Sequence, residues 1–211
     1  MDLNNRKNST FIILGAATVM GLILLFQWVL ADDDYLIEMK QMREKRQTMM
    51  KTDFDSPIPD SLKSVFPGID FFPVDKAWRM NGKFKENPKF ERVKIPRNDG
   101  KYDNLIVVGW VTFKYRNKEY KLTCYQPNPD DSKVLFIPFR DGTSGKTTYG
   151  GGRYLDLRRA GDRVDLDFNK AYNPYCVYDY EGYSCTVPPK ENTLPISIEA
   201  GEKTFDWDNV K

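Results

Sequence analysis

NLIVVGWVTFKYR, residues 104–116, is the longest strand-like run in the chain, and its reading decides the fold. Leu105, Val107, Gly109, Val111, Phe113 and Tyr115 fall on one face of an extended segment. Ile106, Val108, Trp110, Thr112 and Lys114 fall on the other. The first half is apolar on both faces, so both sides of it should be covered. Asn117 and Lys118 can make a tight turn into a second strand at 119–125, since Asn tolerates a positive φ. Upstream, residues 77–86 alternate in part and Asn87-Pro88 should stop them. A short strand at 90–95 and a turn at Asn98-Asp99-Gly100 follow. Downstream, strands are expected at 133–139, 148–157, 164–168 and 195–200. About eight short strands between turns predict a mainly β domain, an antiparallel sandwich or barrel. No internal repeat is visible.

Composition agrees. Twelve Tyr and 13 Phe suit a pleated surface, and 13 Pro with 14 Gly supply many turns. The net charge of +2 gives no field that calls for nucleic acid. The chain has no His, which excludes Ser-His-Asp and Cys-His nucleophile systems and removes the commonest zinc ligand. Catalysis would have to rest on carboxylate, Lys, Tyr or Cys groups, or on an acquired cofactor. No cofactor or metal motif is present, and none is expected.

Residues 11–31, FIILGAATVMGLILLFQWVLA, carry no charge and one amide, Gln27. At 1.5 Å per residue they reach roughly 30 Å, a bilayer core. A single transmembrane helix after a short tail at 1–10 is the expectation. Its rival is a signal peptide cleaved near Ala31, although the apolar region is long for one. Arg6 and Lys7 precede the segment and Asp32, Asp33 and Asp34 follow it. Several Lys and Arg lie within 20 residues of its far end, which weakens the inside-positive signal. The balance favours single-pass placement in the inner membrane with the C-terminal domain outside the cytoplasm. A secreted or periplasmic protein is the alternative after cleavage.

Residues 32–55 read as a helical connector. Acids lead, bases follow, and Met39, Met42, Arg46 and Met49 share a face, either as a solvated stalk or as a seam for a protein partner. Pro57 and Pro59 end the helix. Residues 56–211 form the β domain.

Three motifs are long and specific: Tyr149-Gly-Gly-Gly-Arg-Tyr-Leu-Asp, Asp167-Phe-Asn-Lys-Ala-Tyr-Asn-Pro-Tyr-Cys and Ala200-Gly-Glu-Lys. Through them the chain resembles the domain of unknown function 1684 family, most strongly over residues 135–203 and more weakly over 60–134. Thr186 stands where that family's Cys-Pro-x-Pro-Pro stretch carries Pro. The resemblance implies no activity.

The same region holds the candidate site. Gly142 to Thr147 echoes a phosphate loop, but Arg140 occupies the position that needs Gly. Gly150, Gly151 and Gly152 precede Arg153. They read as a kinked strand, or as a backbone cradle beside Arg153 and Arg140 able to grip a carboxylate or phosphate. Asp165, Asp167 and Asn169 could face one hard cation, or bond turn backbone together with Tyr172, Asn173 and Tyr175. Cys176 and Cys185 read as a local disulfide in an oxidising compartment, as two thiols in a reducing one, or as a redox pair. Glu191, Glu199 and Glu202 are candidate acids. Asn192 sits in a turn. The candidate ligand-binding set is Arg140, Arg153, Tyr154, Asn169, Tyr172, Asn173, Glu191 and Asn192. No catalytic residue stands out. A binding or accessory module, set in an envelope complex, is the leading expectation. A His-free hydrolase built on carboxylate, Arg and Tyr groups is the alternative.

Overall fold

The computed structural model describes residues 3–127, 134–179 and 181–210, and within the first helix the side chains at 15, 18–27 and 34–52. It divides into two units, one ending at Glu44 and one beginning at Lys45. The first unit is helix α1, Leu3–Thr52, whose last turns belong to the second unit.

The expected membrane span is corrected. Among the described residues no helix is long and apolar enough to cross a membrane. The side chains at 11–14, 16–17 and 28–31 lie outside the described residues. The single-pass inner-membrane placement that rested on this span falls with it.

The second unit is a closed six-stranded antiparallel barrel. Its strands are β1 Arg79–Pro96, β2 Tyr102–Tyr115, β3 Lys118–Gln126, β4 Val134–Phe139, β5 Arg153–Ala160 and β6 Arg163–Asp167. Each strand pairs with its sequence neighbour, and β1 also pairs with β6 to close the ring. A short helix, α2 Asp60–Lys63, precedes it. Six strands replace the eight expected because two joined and one did not form. Residues 77–86 and 90–95 make one bent strand. Its register shifts between Glu86 and Glu91, and Asn87-Pro88 sits in the bulge, where Pro costs no ladder bond. Asn87 holds the bulge by donating from Nδ2 to Val107 O at 2.9 Å. Residues 195–200 lie along the barrel without joining it. Lys133, expected to open β4, lies outside the described residues.

A second bulge lies in β2, between Val107 and Gly109. It reverses the strand's parity. Ile106, Val108, Val111 and Phe113 point into the barrel, whereas Leu105, Val107 and Trp110 pack outside with Ile95 and Tyr125. Gly109 permits this, because a Cβ there would meet Lys85 O and, at 2.6 Å, the Phe84 ring. The interior is filled by apolar side chains, among them Leu122, Leu135, Ile137, Phe139, Leu155 and Phe168, all fully buried. Each such side chain contributes about 1.5–3 kcal/mol. The β2–β3 turn is Arg116-Asn117, one residue earlier than expected, with φ of 47° and 62°. Tyr115 therefore pairs with Lys118.

A smaller core joins the end of α1 to the C-terminal segment. Met50, Ile58, Phe66, Ile69 and Tyr178 are buried in it, with Phe205 and Trp207 against them.

Candidate functional site

The structure commits most of the expected ligand-binding residues to the fold. Arg153 is 1% exposed. Its Nη2 donates to Asp141 Oδ2 at 2.7 Å and to Ile198 O at 2.9 Å, and its Nη1 donates to Ala200 O and Glu202 O. Burial pulls the guanidinium pKa below its ordinary value, and Asp141 opposes that shift. Asp141 Oδ1 in turn accepts from the Thr143 backbone N–H and hydroxyl, so this ion pair pins the 141–148 loop. Gly152, at φ 100°, leaves room for Phe139 O and Pro188 rather than for a ligand.

Asn192 is buried and makes three bonds: Oδ1 accepts from Thr123 N, and Nδ2 donates to Thr123 O and Pro138 O. Asn169 does the same for Asp75, accepting from its N–H and donating to its C=O. Asp167 accepts from Asn169 N, whereas Asp165 points outward to Arg79 at 2.8 Å, so the two carboxylates do not share a site. Tyr154 donates to Thr186 O and Tyr172 to Asp156 Oδ2. Glu191 accepts from Tyr125 OH at 3.1 Å. Arg140 is half-buried, with its Nε lacking a hydrogen-bond partner. Cys176 and Cys185 are joined in a disulfide with Cα atoms 6.0 Å apart, behind Tyr154 and Tyr172.

One buried polar centre was not legible. Arg46, near the end of α1, donates from Nε to Glu202 Oε1 at 3.0 Å. Glu202 Oε2 accepts from Asn173 N at 2.8 Å and from Tyr178 OH at 3.0 Å. Arg46 also lies over the Tyr172 and Tyr175 rings, at 5.5 and 5.6 Å. Burial lowers its pKa, but Glu202 together with the Tyr178 and Tyr175 phenols outweighs that and the net shift is upward. Burial, reinforced by Glu202, pushes the Tyr178 phenol well above its ordinary value. The centre is an anchor for the helix end. Glu202 was a candidate acid by type alone, and Arg46 lies 156 positions away, so no local pattern joins them.

Uncommitted side chains gather instead at one end of the barrel, on both sides of the β2–β3 hairpin. One groove, of about 760 Å³, is lined by Trp78, Tyr115, Tyr120, Arg116 and Lys118, with Asp75 and Glu199 at its rim. Trp78 stacks on Tyr115 at 4.6 Å, and Arg116 lies over the Tyr115 ring at 5.3 Å. The other groove, of about 710 Å³, opens where β1 parts from β2. The hairpin was expected, but the residues it brings together from β1, β6 and 196–199 carry no common motif.

A family described as "Protein of unknown function (DUF1684)" matches residues 64–203. The chain is also similar to an uncharacterized protein of Haloarcula marismortui, at 30% identity. That likeness covers 82% of this chain and 96% of the other, with a TM-score of 0.66. The relative was solved by NMR in solution. No curated protein matches. The motifs at 149–156, 167–176 and 200–203 thus lie inside a match that spans most of the barrel, and the chain belongs to the DUF1684 family of proteins of unknown function.

Proposed function

We propose that this protein is a non-enzymatic binding module working through the β2–β3 hairpin end of its barrel. One observation carries the reading. The open grooves of about 760 and 710 Å³ flank this hairpin, and apart from Asp75, which accepts from Ala77 N, their aromatic and charged side chains are not tied into backbone bonds as Arg153, Asn169 and Asn192 are. Barrel mouths with an apolar wall and a few polar groups are a common place for ligands. The Arg116-Asn117 turn adds to this. Arg is an unusual choice at a φ of 47°, where Gly, Asn or Asp cost less, so its cation is kept there against local preference.

The test is a titration of the isotope-labelled full chain with a panel of sugars, nucleotides, carboxylates and short peptides, followed by NMR. Ligands should shift the amides of residues 112–120 and 78–83 and leave the panel compounds chemically unchanged. A protein partner, which the connector's methionine spacing leads one to expect, would broaden signals along residues 39–49. Consumption of a panel compound, with shifts at residues 140–192 instead, would overturn the reading in favour of an enzyme.

A further inference from the structure

Lys83 sits at a three-strand junction: it is the cross-strand partner of Thr112 on β2 and of Arg163 on β6. Beyond it β1 follows β6, and the gap left beside β2 is the groove of about 710 Å³. Lys83 and Arg163 are both exposed and directly opposite one another, an arrangement that destabilises a sheet. Lys114 lines the same groove. Other cations on this part of the barrel have carboxylate partners: Arg79 with Asp165 at 2.8 Å, and Arg159 with Glu86 at 3.6 Å. Among the described residues, Lys83, Lys114 and Arg163 form no ion pair. We propose that this groove binds a small organic anion, its phosphate or carboxylate held between Lys83 and Arg163 with Lys114 beside it, and its apolar arm laid against Met80. The proposal deepens the binding reading above and rests on it.

The surroundings select the ligand's form. Met80, partly exposed, gives the groove an apolar wall, with the buried Phe113 behind it. Glu119, opposite Lys114, and Asp162, next to Arg163, also line the groove. Three cations against two carboxylates leave a single net positive charge, which one anionic head neutralises and a chain of them exceeds. A single charged head with a neutral arm therefore fits better than a nucleic acid, which brings a charge at every step.

The experiment titrates the full chain with phenyl phosphate, benzoate, inorganic phosphate, benzyl alcohol and a single-stranded oligonucleotide. Phenyl phosphate or benzoate should shift the amides of residues 80–83, 112–114 and 163. Their binding should exceed that of inorganic phosphate and of benzyl alcohol. Salt at about 1 M should weaken it. Lys83→Gln combined with Arg163→Gln should weaken it by about tenfold or more. Because these changes relieve a repulsion, thermal stability should hold or rise, which separates lost binding from lost folding. Unchanged affinity in the double variant overturns the proposal, as does oligonucleotide binding in preference to the small anions. If neutral probes bind at the hairpin and no anion does, this proposal falls and the module reading stands. If nothing in either panel binds, both fall.

Discussion

At the scale of single residues, the buried polar groups behave as structural rivets. Asn192 satisfies three backbone groups on two strands from a short helical turn, Lys190–Asn192. Replacing it with Ala leaves those groups buried without partners, so Asn192→Ala should cost about 3 kcal/mol, read from the urea midpoint at an unchanged slope. Cys124 offers a second check. It is fully buried, is the one free cysteine among the described residues, and its thiol is pushed far above its ordinary pKa by desolvation. The thiolate is the reactive form. The native protein should therefore resist a thiol reagent near neutral pH, and unfolding without reductant should expose one equivalent. Two or more equivalents would mean that Cys176 and Cys185 are not joined.

At the scale of elements, the hairpin and most strands were legible because alternation and turn residues are local signals. The bulge in β2 was not. Val107, Val108 and Gly109 all suit a strand, and only the neighbouring strand's register reveals the extra residue. The Asn87-Pro88 stop misled for a similar reason: Pro marks a bulge as readily as an end. That Arg153, Asn169 and Asn192 hold backbone groups was not legible, because their chemistry is the same whether they hold a ligand or a carbonyl. Burial decides between the two, and burial depends on contacts distant in sequence. Gly109 tests the account of the bulge. Gly109→Val must displace Lys85 O or the Phe84 ring and should cost about 3 kcal/mol, seen as a lower urea midpoint with loss of the bulge's amide protection.

At the scale of the whole molecule, tyrosines tie stability to alkaline pH. Burial is the first cause raising the phenols of Tyr125, Tyr154, Tyr172 and Tyr178 above their ordinary value. The folded state therefore holds these protons more tightly than the unfolded chain. Their contribution is fully present below the unfolded pKa of about 10 and is lost as pH rises beyond it. Unfolding above about pH 10 should coincide with phenolate absorbance in one cooperative transition. Smooth titration of all tyrosines with the fold intact would contradict the buried placements. The apolar centre of the barrel explains why the ends, rather than the middle, are available to ligands.

The parity reversal in β2 has a consequence for anyone mapping tolerance across this strand. A saturation library over residues 104–115 should show low tolerance throughout 105–109, which are buried on both faces, and alternation only beyond them, with 110 and 112 more permissive than 111 and 113. Positions 106 and 108 would then agree with 111 and 113 across the even-to-odd slip.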